Sequence, residues 1–234
     1  MSDAEKAPAQ SLPDTAQEEA DVLDALSVAV RKRPKPGERR VQILQTLAAM
    51  LEQPGSERIT TAALAARLDV SEAALYRHFA SKAQMFEGLI DFIEQSVFSL
   101  VNQIAERESA AVTSATPVDP AAGARQAGKV VAMLFQFAEK NPGMTRVMVG
   151  DALVFEHERL QQRINLFFDK IDSAFKQCLR GVAQQTGSAT PTVDAHIAAS
   201  VLTAFVAGRL QRFARSGFRR LPSEHLEASL ALIF

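Results

Sequence analysis

From residue 38 onward, apolar positions recur at the three-and-four spacing that keeps one face of an α-helix turned to a core. No stretch alternates with the period of two that a half-buried strand requires, so the pattern predicts an all-α chain. A first helix is expected over residues 38–52, with Leu44, Leu47, Ala48 and Leu51 on one stripe and a stop at Gln53-Pro54-Gly55-Ser56. Two short helices follow, over residues 62–68 and 72–78. A long helix over residues 82–108 turns Met85, Phe86, Leu89, Ile90, Ile93, Val97 and Ile104 inward. Beyond a small-residue and proline stretch (109–120), helices are expected at 121–140, 144–150, 154–185, 193–215 and from 224 to the end. Asn141-Pro142-Gly143 and residues 186–191 are the clear breaks between them. Residues 1–37 lack the pattern. They are rich in Ala, Pro, Asp, Glu and Gln and read as a disordered extension, in which the weak apolar stretch 22–30 forms at most a transient helix.

The block at residues 59–82, ITTAALAARLDVSEAALYRHFASK, carries the most information. Thr60 or Thr61 can cap a helix whose inner face is Leu64, Ala65 and Leu68. Asp69 falls in a tight turn, where Asp tolerates the left-handed conformation. Ser71 is a good N-cap for a second helix starting at Glu72, and Leu75 points back to the core. Helix, short turn and helix, with alanines at the crossing, is the sequence form of a helix-turn-helix. The second helix must enter a major groove about 12 Å wide, so its leading face has to be small and polar. Glu72, Ala73 and Ala74 supply that face, and Tyr76, Arg77 and His78 follow within reach of phosphates or base edges. Ser81 and Lys82 open the next helix, where free backbone N–H groups and a lysine suit a phosphate. An ordinary helical hairpin is the plain alternative.

Charge sharpens this picture. The whole chain carries a net −1, which points to no partner. Residues 1–30, however, hold seven acids against one base, residues 31–82 hold ten bases against five acids, and the rest is balanced. A localised basic block is the electrostatic footprint of a nucleic-acid surface. Within it, residues 31–40 (RKRPKPGERR) form either a solvated linker or a basic arm reaching phosphates or the minor groove.

The run LYRHFASK at residues 75–82 resembles the helix-turn-helix ending of TetR-type regulators. A longer set of segments is similar to the nucleoid occlusion branch of that family. These are residues 58–79, 85–96 (MFEGLIDFIEQS), 141–146 (NPGMTR), 153–165 (LVFEHERLQQRIN) and 212–218 (RFARSGF). The resemblance spans roughly residue 38 to the C-terminus. After the disordered extension (1–37), it implies a TetR-like fold: a three-helix helix-turn-helix DNA-binding domain (38–82) and a helical dimerisation and partner-binding bundle (83–234). It also implies a homodimer that binds specific palindromic sites on double-stranded DNA and the tubulin-like division GTPase FtsZ, and so blocks septum assembly over unsegregated DNA. The partner surface it implies lies where the long fourth helix meets the helix ending at Asn141, with Phe92, Met133, Lys140 and Asn141 on it. Core packing is the plain account of Phe92 and Met133. On the DNA side it implies Thr60, Thr61, Ser71, Glu72, Ala73, Ala74, Tyr76, Arg77, His78 and Lys82. Asp69 stands where glycine is common in the family and Ala80 where proline is frequent, and the 1–37 extension is unusual.

The remaining chemistry is sparse. A single cysteine, Cys178, excludes an internal disulfide. It sits in the core series Leu160, Ile164, Phe167, Ile171, Ala174, Cys178. Residues 123–130 (GARQAGKV) nearly fit a phosphate loop but lack the Ser or Thr that holds magnesium. His157, His196 and His225 are isolated, so neither a metal nor another cofactor is expected, and no catalytic constellation appears. No basic-then-apolar leader is seen, and the near-apolar run 197–208 is shorter than the ~18 residues of a membrane span. The expected setting is cytoplasmic and nucleoid-associated. That run is apolar nearly all round, so it must be covered on more than one side. Ala198, Ala199, Ala207 and Gly208 would let a partner helix approach, although a central helix of a monomeric bundle would also serve. The rival function is a ligand-controlled repressor, in which Phe135, Phe137, Phe167, Phe168 and Phe205 line a pocket instead of filling a core.

Overall fold

The computed structural model describes residues 37–53, 59–111, 121–185 and 187–234. Two compact units result, Met1–Arg39 and Arg40–Phe234. Only residues 37–39 of the first are described, so the expectation of disorder and the basic run 31–36 lie outside the described residues. All regular structure among the described residues is helical: α1 (Glu38–Leu51), α2 (Thr61–Arg67), α3 (Glu72–Tyr76), α4 (Lys82–Ala111), α5 (Ala122–Lys140), α6 (Pro142–Met148), a 3-10 turn (Asp151–Leu153), α7 (Glu158–Gln185), α8 (Pro191–Arg215) and α9 (Leu226–Ile233).

One continuous core joins these elements. It takes Ile43, Leu47, Ala48 and Leu51 from α1, Leu64 and Leu75 from the short pair, and Met85 through Val97 from α4. The α1 stripe holds Leu47, Ala48 and Leu51 as expected and differs at its first member: Ile43 is fully buried and Leu44 only half-buried. Ile104 likewise lies at the edge of the core.

Helix α6 packs on α1 so closely that a Cβ at Gly143 would stand 1.9 Å from the Ala48 carbonyl oxygen. Helices α5 and α7 meet as tightly at Gly123, where a Cβ would lie 2.2 Å from the Cys178 carbonyl oxygen. The residues that nearly match a phosphate loop are therefore the packed start of a helix. Helix α6 also begins two residues earlier than its pattern suggested, because Pro142 is pre-set for a first helical position. Helix α7 begins later than residue 154. Gly150, at φ 82, leads into the 3-10 turn, and Val154 and Phe155 stay outside on the surface.

Helices α7 and α8 form the most extensive pair. Helix α8 commits Ala195, Ala199, Leu202, Val206, Leu210, Phe213 and Ala214 to the core. Ala199 is thus buried within its own chain and is not free to receive a partner, contrary to the expectation for it. By length and composition α8 would suffice to cross a membrane, which the shorter run 197–208 did not suggest. Only 28% of its most apolar stretch is buried, and Val193, Ile197 and Val201 stand 54%, 57% and 49% exposed on its outer side.

Candidate nucleic-acid interface

The helix-turn-helix is assembled by local chemistry. Thr60 adopts extended backbone, and its hydroxyl accepts from the Ala63 N–H at 3.1 Å, capping α2. The chain leaves α2 through Asp69 at φ 52, the left-handed position that Asp tolerates. Ser71 caps α3 by accepting from the Ala74 N–H at 3.3 Å. Ser81 repeats the device for α4, accepting from the Gln84 N–H at 3.2 Å, while the Gln84 side chain accepts from the Ala80 N–H. This bond also uses the N–H that a proline at position 80 would lack.

Burial divides the unit cleanly. Leu64, Ala65, Leu75 and Phe79 are buried, whereas Thr60, Ser71, Glu72, Ala73, Tyr76, Arg77 and His78 are exposed and Thr61 and Ala74 half-buried. The exposed set lies along the start and outer side of α3 and at the mouth of α2, the arrangement that lets a short helix enter a groove.

Three contacts were not evident from the sequence. The Thr61 hydroxyl donates to Glu72 Oε2 at 2.6 Å, with the Tyr76 hydroxyl at 3.5 Å from Thr61 Oγ1. Glu72 therefore braces the two helices against each other. Lys82, expected as a free phosphate ligand, is instead ion-paired with Glu156 and lies 5.7 Å from the Phe86 ring centroid. Arg40, the last residue of the basic run, donates to the His78 carbonyl at 2.8 Å and sits 4.2 Å over the Phe79 ring. It fastens the start of α1 to the end of the helix-turn-helix. No pattern in a single sequence identifies these long-range partners.

The second candidate surface lies on α4 and α5. Phe92 is 42% exposed, although it projects from the helix that also buries Ile90 and Ile93. Met133 is half-buried against the core, Lys140 is exposed at the end of α5, and Asn141 is half-buried, its amide donating to the Phe137 carbonyl at 2.7 Å. Four of the five phenylalanines of the rival reading make ring contacts: Phe135 and Phe205 have ring centroids 5.8 Å apart, and Phe167 touches Phe98 and Phe168 edge-on at 5.9 and 5.5 Å. Burial pushes the Cys178 thiol up to about 11. No group of three or more His, Cys, Asp or Glu with metal-binding proximity occurs among the described residues.

A capped helix-turn-helix fused to a bundle of long helices defines the class, and comparison with known proteins gives the family. Residues 43–89 match the family described as bacterial regulatory proteins, tetR family, and residues 125–234 match the SlmA-like family described as tetracyclin repressor-like, C-terminal domain. The nucleoid occlusion factor SlmA of Aliivibrio fischeri (strain MJ11) is 47% identical over 201 residues, covering 86% of this chain and 96% of that protein. That of Idiomarina loihiensis is 46% identical over 190 residues, covering 81% and 90%. Among solved structures, the fatty acid degradation regulator FadR from Bacillus halodurans is similar in fold, with a TM-score of 0.65 at 14% identity over 87% of this chain and 96% of that one. This chain belongs to the SlmA family of nucleoid occlusion factors, within the TetR-type helix-turn-helix proteins.

Proposed function

We propose that the protein acts in nucleoid occlusion as a cytoplasmic, nucleoid-associated homodimer. In this reading residues 38–82 bind specific palindromic DNA and residues 83–234 dimerise and hold the division GTPase FtsZ, so that septum assembly is blocked over the nucleoid. The carrying observation is the helix-turn-helix face, in which exposed Ser71, Glu72, Ala73, Tyr76, Arg77 and His78 stand on buried Leu75 and Phe79. Ala73 and Ala74 are small enough to lie against base edges, while Thr60, Thr61, Tyr76, Arg77 and His78 take phosphates or bases. Lys82 reaches phosphate only by leaving Glu156, so DNA affinity includes the cost of that exchange.

The uncovered apolar side of α8 supports the homodimer, since a two-fold contact covers Val193, Ile197 and Val201 with the same side of a second copy. Phe92, Met133, Lys140 and Asn141 form the FtsZ surface in this reading, and the exposure of Phe92 favours it. The ring contacts of Phe135, Phe167, Phe168 and Phe205 favour a filled core over a ligand pocket.

The test is sedimentation of FtsZ polymers with this protein, with and without a specific DNA duplex. Co-sedimentation that depends on the protein, and that DNA alters, is the expected result. A DNA-binding protein that never sediments with FtsZ would leave a repressor.

A further inference from the structure

Helix α8 ends at Arg215, and the chain reverses through Gly217 and Phe218 at φ 63 and 64. Positive φ at a phenylalanine is strained and persists only where the surroundings over-determine it. Here they do. Ser216 Oγ accepts from the N–H groups of Arg219 and Arg220 at 3.1 and 3.0 Å, and donates to the Phe213 carbonyl at 2.8 Å. The Phe218 ring packs edge-on against Phe213, and the Arg146 guanidinium lies 5.2 Å from its centroid.

The fixed reversal folds Arg219 and Arg220 back beside Arg212 and Arg215. Two hollows of about 520 and 570 Å3 result, and both are lined by Arg212, Arg219 and Arg220. Ser216 lines the first; Ser223 and Glu224, the one carboxylate, line the second. Nothing stands within 4 Å of where a Cβ would project at Gly208 or Gly217.

The charge in this trough is not balanced among the described residues. Arg209, one turn earlier, donates to the Glu224 carbonyl and the Ser229 hydroxyl and lies over the Phe205 ring. The Nε of Arg219 donates to the Ser216 carbonyl. The guanidinium groups of Arg212, Arg215 and Arg220 have no hydrogen-bond or ion-pair partner among the described residues. The carboxyl end of a helix favours cations, which accounts for Arg212 and Arg215, but Arg219 and Arg220 lie beyond it.

We infer that this trough is a binding site for a compact anion carrying two or more phosphate groups, a small oligophosphate. Each guanidinium offers a planar fork that matches phosphate oxygens in pairs, and several forks converge on one concavity. A duplex backbone, in contrast, presents its phosphates strung along a line and suits bases on a ridge. The site is independent of the helix-turn-helix reading.

Isothermal titration calorimetry of the full chain with inorganic tripolyphosphate, at about 0.15 M salt where distant charges are screened, tests it. One site per chain is expected. Replacing two charged hydrogen-bond donors, in Arg212→Gln with Arg220→Gln, should weaken binding about tenfold or more. Arg77→Gln on the helix-turn-helix should leave it unchanged. If the double variant loses its helical circular dichroism, Arg220→Gln alone is read, since Arg220 is exposed and outside any helix. Absence of binding by the wild type, equal weakening by Arg77→Gln, or unchanged affinity in the arginine variants would overturn the site. Loss of the dimer in the folded double variant would instead assign these arginines to a protomer contact, and displacement of tripolyphosphate by random duplex in both the wild type and Arg77→Gln would make the trough a nucleic-acid surface.

Discussion

The inner and outer sides of the α7–α8 pair are finished in different ways. Where α7 faces α4, acids pair with bases across the seam: Glu87 with Arg159 at 2.8 Å, Asp91 with Arg163 at 2.6 Å, Glu94 with Arg163 at 3.5 Å and with Lys170, and Lys82 with Glu156 at the near end. The hydrogen bond that Arg163 donates to the Asp91 carboxylate holds its guanidinium above its ordinary value, so this arginine stays charged at any working pH. On the outer side of α8, Val193, Ile197 and Val201 meet nothing comparable among the described residues. The first side is complete within one chain and the second is not. Polar surface can be left to water. A stripe of β-branched side chains loses roughly 25 cal/mol per Å2 until something covers it.

The largest expected effect follows from that difference. Val201→Glu should leave the fold intact, because Val201 is not in the core, and should abolish self-association in equilibrium sedimentation. A dimer of undiminished strength in this variant would show that the contact lies elsewhere. Smaller, but still severe, is Gly143→Ala. Its Cβ meets backbone, not a yielding side chain, so α6 must lift from α1, at a cost of about 1–3 kcal/mol in a denaturant melt.

The helix-turn-helix was the most legible part of the sequence, and the reason is local. Both caps, at Thr60 and Ser71, and the left-handed turn at Asp69 depend on residues within four positions of one another. What stayed hidden was set by partners far along the chain. Lys82 looked free because Glu156 is 74 residues away, and Glu72 looked available to DNA because Thr61 lies across the turn. The run 197–208 in α8 is apolar nearly all round, but which side is inner depends on α7. Ala199 consequently fell on the inner side and Gly208 on the outer.

The near end of the ion-pair side offers a subtler test. Glu156→Gln removes the competitor for Lys82 and should tighten binding to all duplexes alike by a few-fold, most clearly at low salt. Unchanged affinity, measured by anisotropy across a salt series, would mean that Lys82 does not reach phosphate. The smallest effect is chemical. With its thiol raised to about 11, Cys178 stays protonated through the ordinary working range, and only the thiolate attacks. Alkylation by iodoacetamide at pH 8 should be much slower than for a free thiol and should accelerate on unfolding. Rapid labelling of the native protein would contradict the packing of α7 described here.

The central claim is that DNA and FtsZ are held on separate surfaces of one dimer. Fluorescence anisotropy of a labelled FtsZ C-terminal peptide, titrated with the wild type, Tyr76→Ala and Asn141→Ala, tests it most directly, given that each variant keeps its helical signal. The account predicts that the wild type and Tyr76→Ala bind the peptide alike while Asn141→Ala binds it weakly, with specific DNA lost only by Tyr76→Ala. Absence of peptide binding by the wild type, with or without specific DNA, would contradict it, as would equal loss of the peptide in both variants.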